Sequence, residues 1–143
     1  MAKFEYSGVD EVEQKLAAMD RDMIKGIVMK GAEACTKEMQ ALIGQYRHVK
    51  TGQMQKSVAP AQYHEDLGSG WVDVYPQGTD SRGVSNALKA FVNNYGIGNN
   101  PTRRKTQNKT GDKFITKNQK RMEQGVFTAM QAESDRRIAE LNK

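Results

Sequence analysis

The chain has 143 residues, a length that suits one domain spanning 1–143, and a fold of that size buries about 68–70% of its unfolded surface. Only 37% of residues are hydrophobic and 7% aromatic, and eight are methionine, so the expected core is thin and adaptable, gaining stability by association with copies or partners. The net charge is +5, the single cysteine excludes an intrachain disulfide and a four-cysteine zinc site, and nothing approaches the ~18-residue apolar run of a membrane span.

The sequence opens without an apolar leader stretch, which predicts a protein made and kept in the cytoplasm, or leaving it by lysis rather than secretion. Phe4 and Tyr6 alternate with polar neighbours, the pattern of a short strand. Asp10 and Glu13 stand at capping-box spacing, and Val12, Leu16 and Met19 follow at helical intervals, predicting a first helix from about Val9 to Met19. From Arg21 to about Tyr46 a stripe of Ile24, Ile27, Val28, Ala32, Cys35, Met39, Leu42, Ile43 and Tyr46 predicts a long amphipathic helix. Close backbone packing would explain Gly26, Gly31 and Gly44 within it.

After the turn-like KTGQ the period changes. Ser57–Tyr63 and Gly70–Tyr75 predict a β-hairpin turning through HEDLGSG, with Val72 and Val74 on one face and Trp71, Asp73 and Tyr75 on the other. Leu88, Phe91, Val92 and Tyr95 predict the core-facing side of a helix that Gly96 ends. A helix from Lys120 to Leu141 closes the chain, with Met122, Val126, Met130 and Ile138 on one face. Strands grouped rather than alternating with helices predict an α+β fold, a short antiparallel sheet packed against the long helix and the C-terminal helix.

Between the last two helices lies a segment of another character. A mobile loop is expected at about 97–113, almost devoid of apolar residues. From Arg103 to Arg121 there are eight basic residues and one acid, a local +7, against fourteen basic and sixteen acidic residues elsewhere, which give −2. The sequence thus describes a mildly acidic body bearing a basic insertion. Arg103, Arg104, Lys105, Lys109 and Lys113 are the candidate partner-contact residues. Three uses are open: a solvated loop, an electrostatic docking arm for an acidic protein surface, or a nucleic-acid contact. No aromatic residue lies between Arg103 and Lys113, so bases would find no stacking platform there.

No catalytic, metal or cofactor site is expected. His48 and His64 belong to no metal-ligand spacing, and His64-Glu65-Asp66 reads as a solvated turn. Cys35 falls on the apolar stripe, where a free cysteine acts as a small hydrophobe. Neither a Walker loop nor a strand–GxGxxG–helix fingerprint is present, and the Asp20/Asp22 and Glu11/Glu13 pairs sit on exposed or capping positions.

Four stretches occur in a familiar order: FEYSGVDEVEQKLAAM before the long helix, then Thr51-Gly52-Gln53-Met54-Gln55-Lys56-Ser57, close to a TGxLRxS pattern. Phe91-Val92-Asn93-Asn94-Tyr95-Gly96 is similar to a FVEYG-type stretch, and Gly111-Asp112-Lys113-Phe114-Ile115 stands where an RPFL-type motif would fall. The chain resembles the tail-component family of tailed phages and prophages of the lambdoid siphophage type, whose members are minor tail, tail-completion or head–tail joining proteins. It departs from that pattern at Lys50 and at Asn93 or Asn94, where acids are common, and in having Lys-Phe-Ile. The resemblance implies a structural subunit of the virion tail or neck. Its partners would be neighbouring neck or tail proteins and copies of itself in a closed ring. It also implies that Thr51, Gly52, Met54, Ser57, Phe91, Tyr95, Gly96 and Phe114 shape the body. A small nucleic-acid-binding protein using the basic loop is the alternative.

Overall fold

A computed structural model describes residues 9–46, 48–67, 69–98 and 109–143. The strand expected at Phe4–Tyr6 and the candidate residues Arg103, Arg104 and Lys105 lie outside them. The architecture is α+β, with two long helices beside short antiparallel strand pairs.

Helix α1 runs unbroken over Val9–Gln45, where the sequence predicts two helices. Nothing between Met19 and Ile24 interrupts it: Asp20, Arg21 and Asp22 are exposed polar residues, and neither Gly nor Pro intervenes. At ~1.5 Å per residue α1 is roughly 55 Å long, a rigid spine for everything else. All nine residues of the predicted stripe are buried or half-buried.

Helix α4, Phe114–Leu141, lies antiparallel to α1. Its first turn meets the end of α1, where the Asn118 side chain donates to the Tyr46 hydroxyl at 3.2 Å. Farther along, Arg121 pairs with Glu38 at 3.2 Å, and Arg137 reaches the carbonyl of Asp22. Gly31 faces α4 closely: a Cβ there would stand 2.7 Å from Met130 Cγ, so any side chain would force Met130 to shift. Near the far end, Arg136 and Arg137 both donate to Glu133, holding its carboxyl down at about 2. α4 begins six residues before the predicted Lys120. Its starting signal is supplied by a residue distant in sequence, described below.

The strands β1 (Val58–Pro60), β2 (His64–Asp66), β3 (Ser69–Trp71) and β4 (Val74–Pro76) form one hairpin. β1 pairs with β4 and β2 with β3. Between the two ladders, Ala61, Gln62 and Tyr63 oppose only Val72 and Asp73, so one extra residue bulges and bends the ribbon. Asp66 pairs with Ser69, which leaves two positions to turn rather than the seven of HEDLGSG. Leu67, the first of them, takes φ 44°. As predicted, Val74 packs on the core while Trp71 and Tyr75 face solvent.

Two short elements flank the hairpin. The one-turn helix α2 (Gln53–Lys56) precedes it, and α3 (Asn86–Tyr95) follows, its first turn capped by Ser85 Oγ accepting from the Leu88 amide. α3 faces the opposite way from the prediction. Leu88, Phe91 and Tyr95 are exposed, whereas Asn86, Ala90 and Asn94 are buried. Asn94 tolerates burial because its amide bonds α4, and Asn86 is bonded in part: its Nδ2 donates to the Gln77 carbonyl while its Oδ1 has no partner among the described residues.

Strands β5 (Gly96–Ile97) and β6 (Lys109–Thr110) form a two-residue antiparallel ladder not predicted from sequence. The loop expected at about 97–113 is therefore shorter at both ends. Ile97 belongs to β5, and 109–113 belong to the body, with the Asp112 and Lys113 amides donating to the carbonyls of Asn93 and Asn94. Gly111 is needed here, since a Cβ would overlap the backbone of Asn94 and Tyr95.

The core gathers at the C-terminal end of α1. Met39, Leu42, Ile43, Met54, Val58, Ala90, Phe114 and Met122 bring α1, α2, β1, α3 and α4 to one cluster, bordered by Cys35, Tyr46, Val74 and Ile115.

Candidate functional site

The residues singled out by sequence converge on this core end. Thr51 and Gly52 make the turn into α2: the Thr51 hydroxyl accepts from the Gln53 amide at 3.5 Å, and Gly52 takes φ 72°. Met54 is buried, Lys56 is exposed, and Ser57 Oγ donates to the Met54 carbonyl. Met54 and Phe114 share the core cluster, while Phe91 and Tyr95 pack on each other at 4.8 Å between ring centres, outside it. Gly96 ends α3 at φ 82° and opens β5.

Asn94 joins these pieces, and sequence reasoning missed it. It is 1% exposed. Its Oδ1 accepts from the amides of Ile115 at 2.9 Å and Thr116 at 3.3 Å, and its Nδ2 donates to Thr116 Oγ1 at 3.0 Å. An amide on α3 thus caps α4, a task normally done by the residue just before a helix. The Asp112 side chain adds a second tie: Oδ1 accepts from the Phe114 amide, and Oδ2 lies 2.6 Å from His48 Nε2. The His48 ring stands edge-on to Phe114. His48 and Asp112 are 64 residues apart, so no local pattern could have signalled the pair.

Outside this junction lies an open cleft of about 690 Å³. The α2 turn forms one wall, the Asp80–Val84 loop and α3 the other, and Lys109 stands at its rim. Val84, Leu88 and Val92 supply an apolar side. Lys50, Arg82, Lys89 and Lys109 supply positive charge against the single acid Asp80.

That acid is already committed. Asp80 Oδ1 accepts from the amides of Arg82 and Val84 at 2.8 and 2.9 Å, and Oδ2 receives Lys89 and Arg82. The Lys89 ammonium, then the Val84 amide, hold the nearly buried carboxyl far below the usual carboxylate range. Lys50, Lys109 and the mostly exposed Arg82 guanidinium are left to set the sign of the cleft.

A depressed carboxylate stabilises the fold fully above its ordinary value, and the contribution is lost as pH falls toward the folded value. From about pH 4 downward, wild-type stability should therefore drop more steeply than that of Asp80→Asn. Glu133 contributes acid sensitivity of the same sign in both proteins, lost as pH falls through about 2. Thermal midpoints by circular dichroism over pH 2–5 check this, and equal slopes would contradict it.

Of the basic candidates, Lys109 bonds Asn93 Oδ1 from β6, and Lys113 is exposed with a left-handed backbone just before α4. Cys35 is half-buried against the core, and burial raises its thiol, which opposes thiolate formation. His64 stacks on its cross-strand partner Trp71 at 5.6 Å. Among the described residues no group of three or more His, Cys, Asp or Glu side chains is placed to hold a metal ion. No helix among them is long and apolar enough to cross a membrane. Comparison with protein-family models, with curated proteins and with solved structures finds no match.

Proposed function

We propose that this chain is a structural subunit of a tailed-phage or prophage tail or neck, joining or completing the tail at the head–tail junction by oligomerising. The resemblance in motif order suggests the class. The observation that carries the reading is the outward face of α3: Leu88, Phe91 and Tyr95 are 54–62% exposed, on the helix that holds the FVNNYG motif. Exposed large apolar groups along one helix face mark a contact surface better than scattered ones do. They stand beside a cleft with surplus positive charge, on the side where the chain enters and leaves the basic stretch 99–108. Partners of acidic, partly apolar surface fit such a face.

The test is genetic and biochemical. In a lysogen carrying the gene, the protein should copurify with intact particles at fixed stoichiometry, and its deletion should yield unjoined heads and tails by electron microscopy. Complete, infectious particles from the deletion strain would sink the proposal. Salt-sensitive retention of duplex DNA by the purified protein, lost on replacing Arg103, Arg104 and Lys105 with Ala, would favour the nucleic-acid alternative instead.

A further inference from the structure

The tip of the hairpin stands against the side of α1 but turns its end residue, Leu67, outward. Leu67 is 99% exposed on a left-handed backbone, φ 44°, where a branched apolar residue is seldom found. Glu65 and Asp66 precede it, both exposed, and Asp20 lines the same shallow recess against α1. Among the described residues, Arg21, bridged to Glu65 at 3.3 Å, is the one cation lining that recess. The tip is therefore an acidic knob with an apolar point.

The cleft described above has the opposite chemistry. Its rim carries Lys50, Arg82 and Lys109, and its apolar side presents Val84 and Leu88. Knob and cleft cannot meet within one molecule. The knob rests beside the Ala17–Ile24 stretch of α1, whereas the cleft begins at His48, past the other end of the helix. From Ile24 to Gln45 the rigid helix alone interposes roughly 30 Å.

We infer that the acidic hairpin tip, Glu65-Asp66-Leu67, of one copy seats in the basic cleft of a second copy of this chain. The contact uses different surfaces on the two copies, so it repeats head to tail and closes into a ring or extends as a filament. It supplies a surface for the oligomer proposed above and rests on that reading only in supposing that copies associate.

Two double variants test it, both at exposed positions. Asp66→Lys with Leu67→Ser spoils the knob, and Lys50→Glu with Lys109→Glu spoils the cleft. In sedimentation velocity at low salt the wild type should self-associate, and raising the salt should weaken it. Each double variant should associate roughly ten-fold or more weakly, because like charges then face each other. An equimolar mixture of the two should regain a two-chain complex, since the intact cleft of one accepts the intact knob of the other. Unchanged circular dichroism and thermal midpoints establish that the variants fold. A wild type that stays monomeric, association indifferent to either variant, or a mixture that fails to rescue would each overturn the inference. Particles that retain the protein despite such a result leave the virion assignment standing. Rescue by mixing with no protein in particles leaves the interface standing and removes the assignment.

Discussion

Phe114→Ala is expected to destabilise the protein by about 3–5 kcal/mol, the range for deleting a fully buried aromatic ring. Phe114 is 0% exposed and is the largest of the fully buried side chains. Its ring lies 5.9 Å from that of Tyr46 and 5.0 Å from that of His48, centre to centre. The same ring lies in the cluster to which α1, α2, β1 and α3 contribute. Truncation removes contacts to several elements at once, and the void cannot collapse without moving α4 against the rigid spine. Domains are commonly stable by only about 5–15 kcal/mol, so one substitution would consume much of the margin. Chemical denaturation measures the loss, and Phe114→Leu should retain a large part of the stability. A cost under about 1 kcal/mol would mean that the core is not organised around this ring.

Asn94→Ala should cost about 1–3 kcal/mol, as expected when buried donors lose their only acceptor. The Ile115 and Thr116 amides would be left facing a methyl group, and Thr116 Oγ1 would lose its donor. Asn94→Asp should be milder, because a carboxylate still accepts from both amides and its charge suits a helix N-terminus. Hydrogen exchange adds a local signature. In Asn94→Ala the amides of the first turn of α4 should exchange faster, while those in the middle of α1 should not. Uniform acceleration would point to general destabilisation and remove the capping role.

The spine was legible because its signal is long and regular. Nine apolar positions at intervals of three and four leave no other reading of Arg21–Tyr46, and the two-face pattern of WVDVY also held. The break in α1 was a false reading: the polar run Asp20-Arg21-Asp22 sits exposed on a continuous helix and contains neither Gly nor Pro. α3 was read inside out. Hydrophobicity assigned Leu88, Phe91 and Tyr95 inward, yet the small and amide residues Ala90, Asn86 and Asn94 fit the narrow space against the core. An asparagine bonded on all sides is not polar to its surroundings, and nothing local reveals that its partners sit twenty residues away. The late prediction for α4 has the same cause.

The candidate site was legible in parts. Thr51, Gly52, Met54 and Phe114 were identified, and the structure places them around the core end. Asp80, Arg82 and Lys89, which define the cleft electrostatically, carried no signal because their arrangement exists only after the loop closes. Lys50 drew notice only as a departure from a family pattern.

The β5–β6 ladder has a consequence for how this protein tolerates change. It fastens Ile97 to Lys109, so the eleven intervening positions begin and end at one fixed gate. With the ends already brought together, doubling the length between them adds only about 0.6 kcal/mol of closure entropy. By closure entropy alone, a change of length there costs the body little. The connection between β5 and β6 can therefore change in length at little entropic cost while the ladder keeps its two ends at the same place on the body.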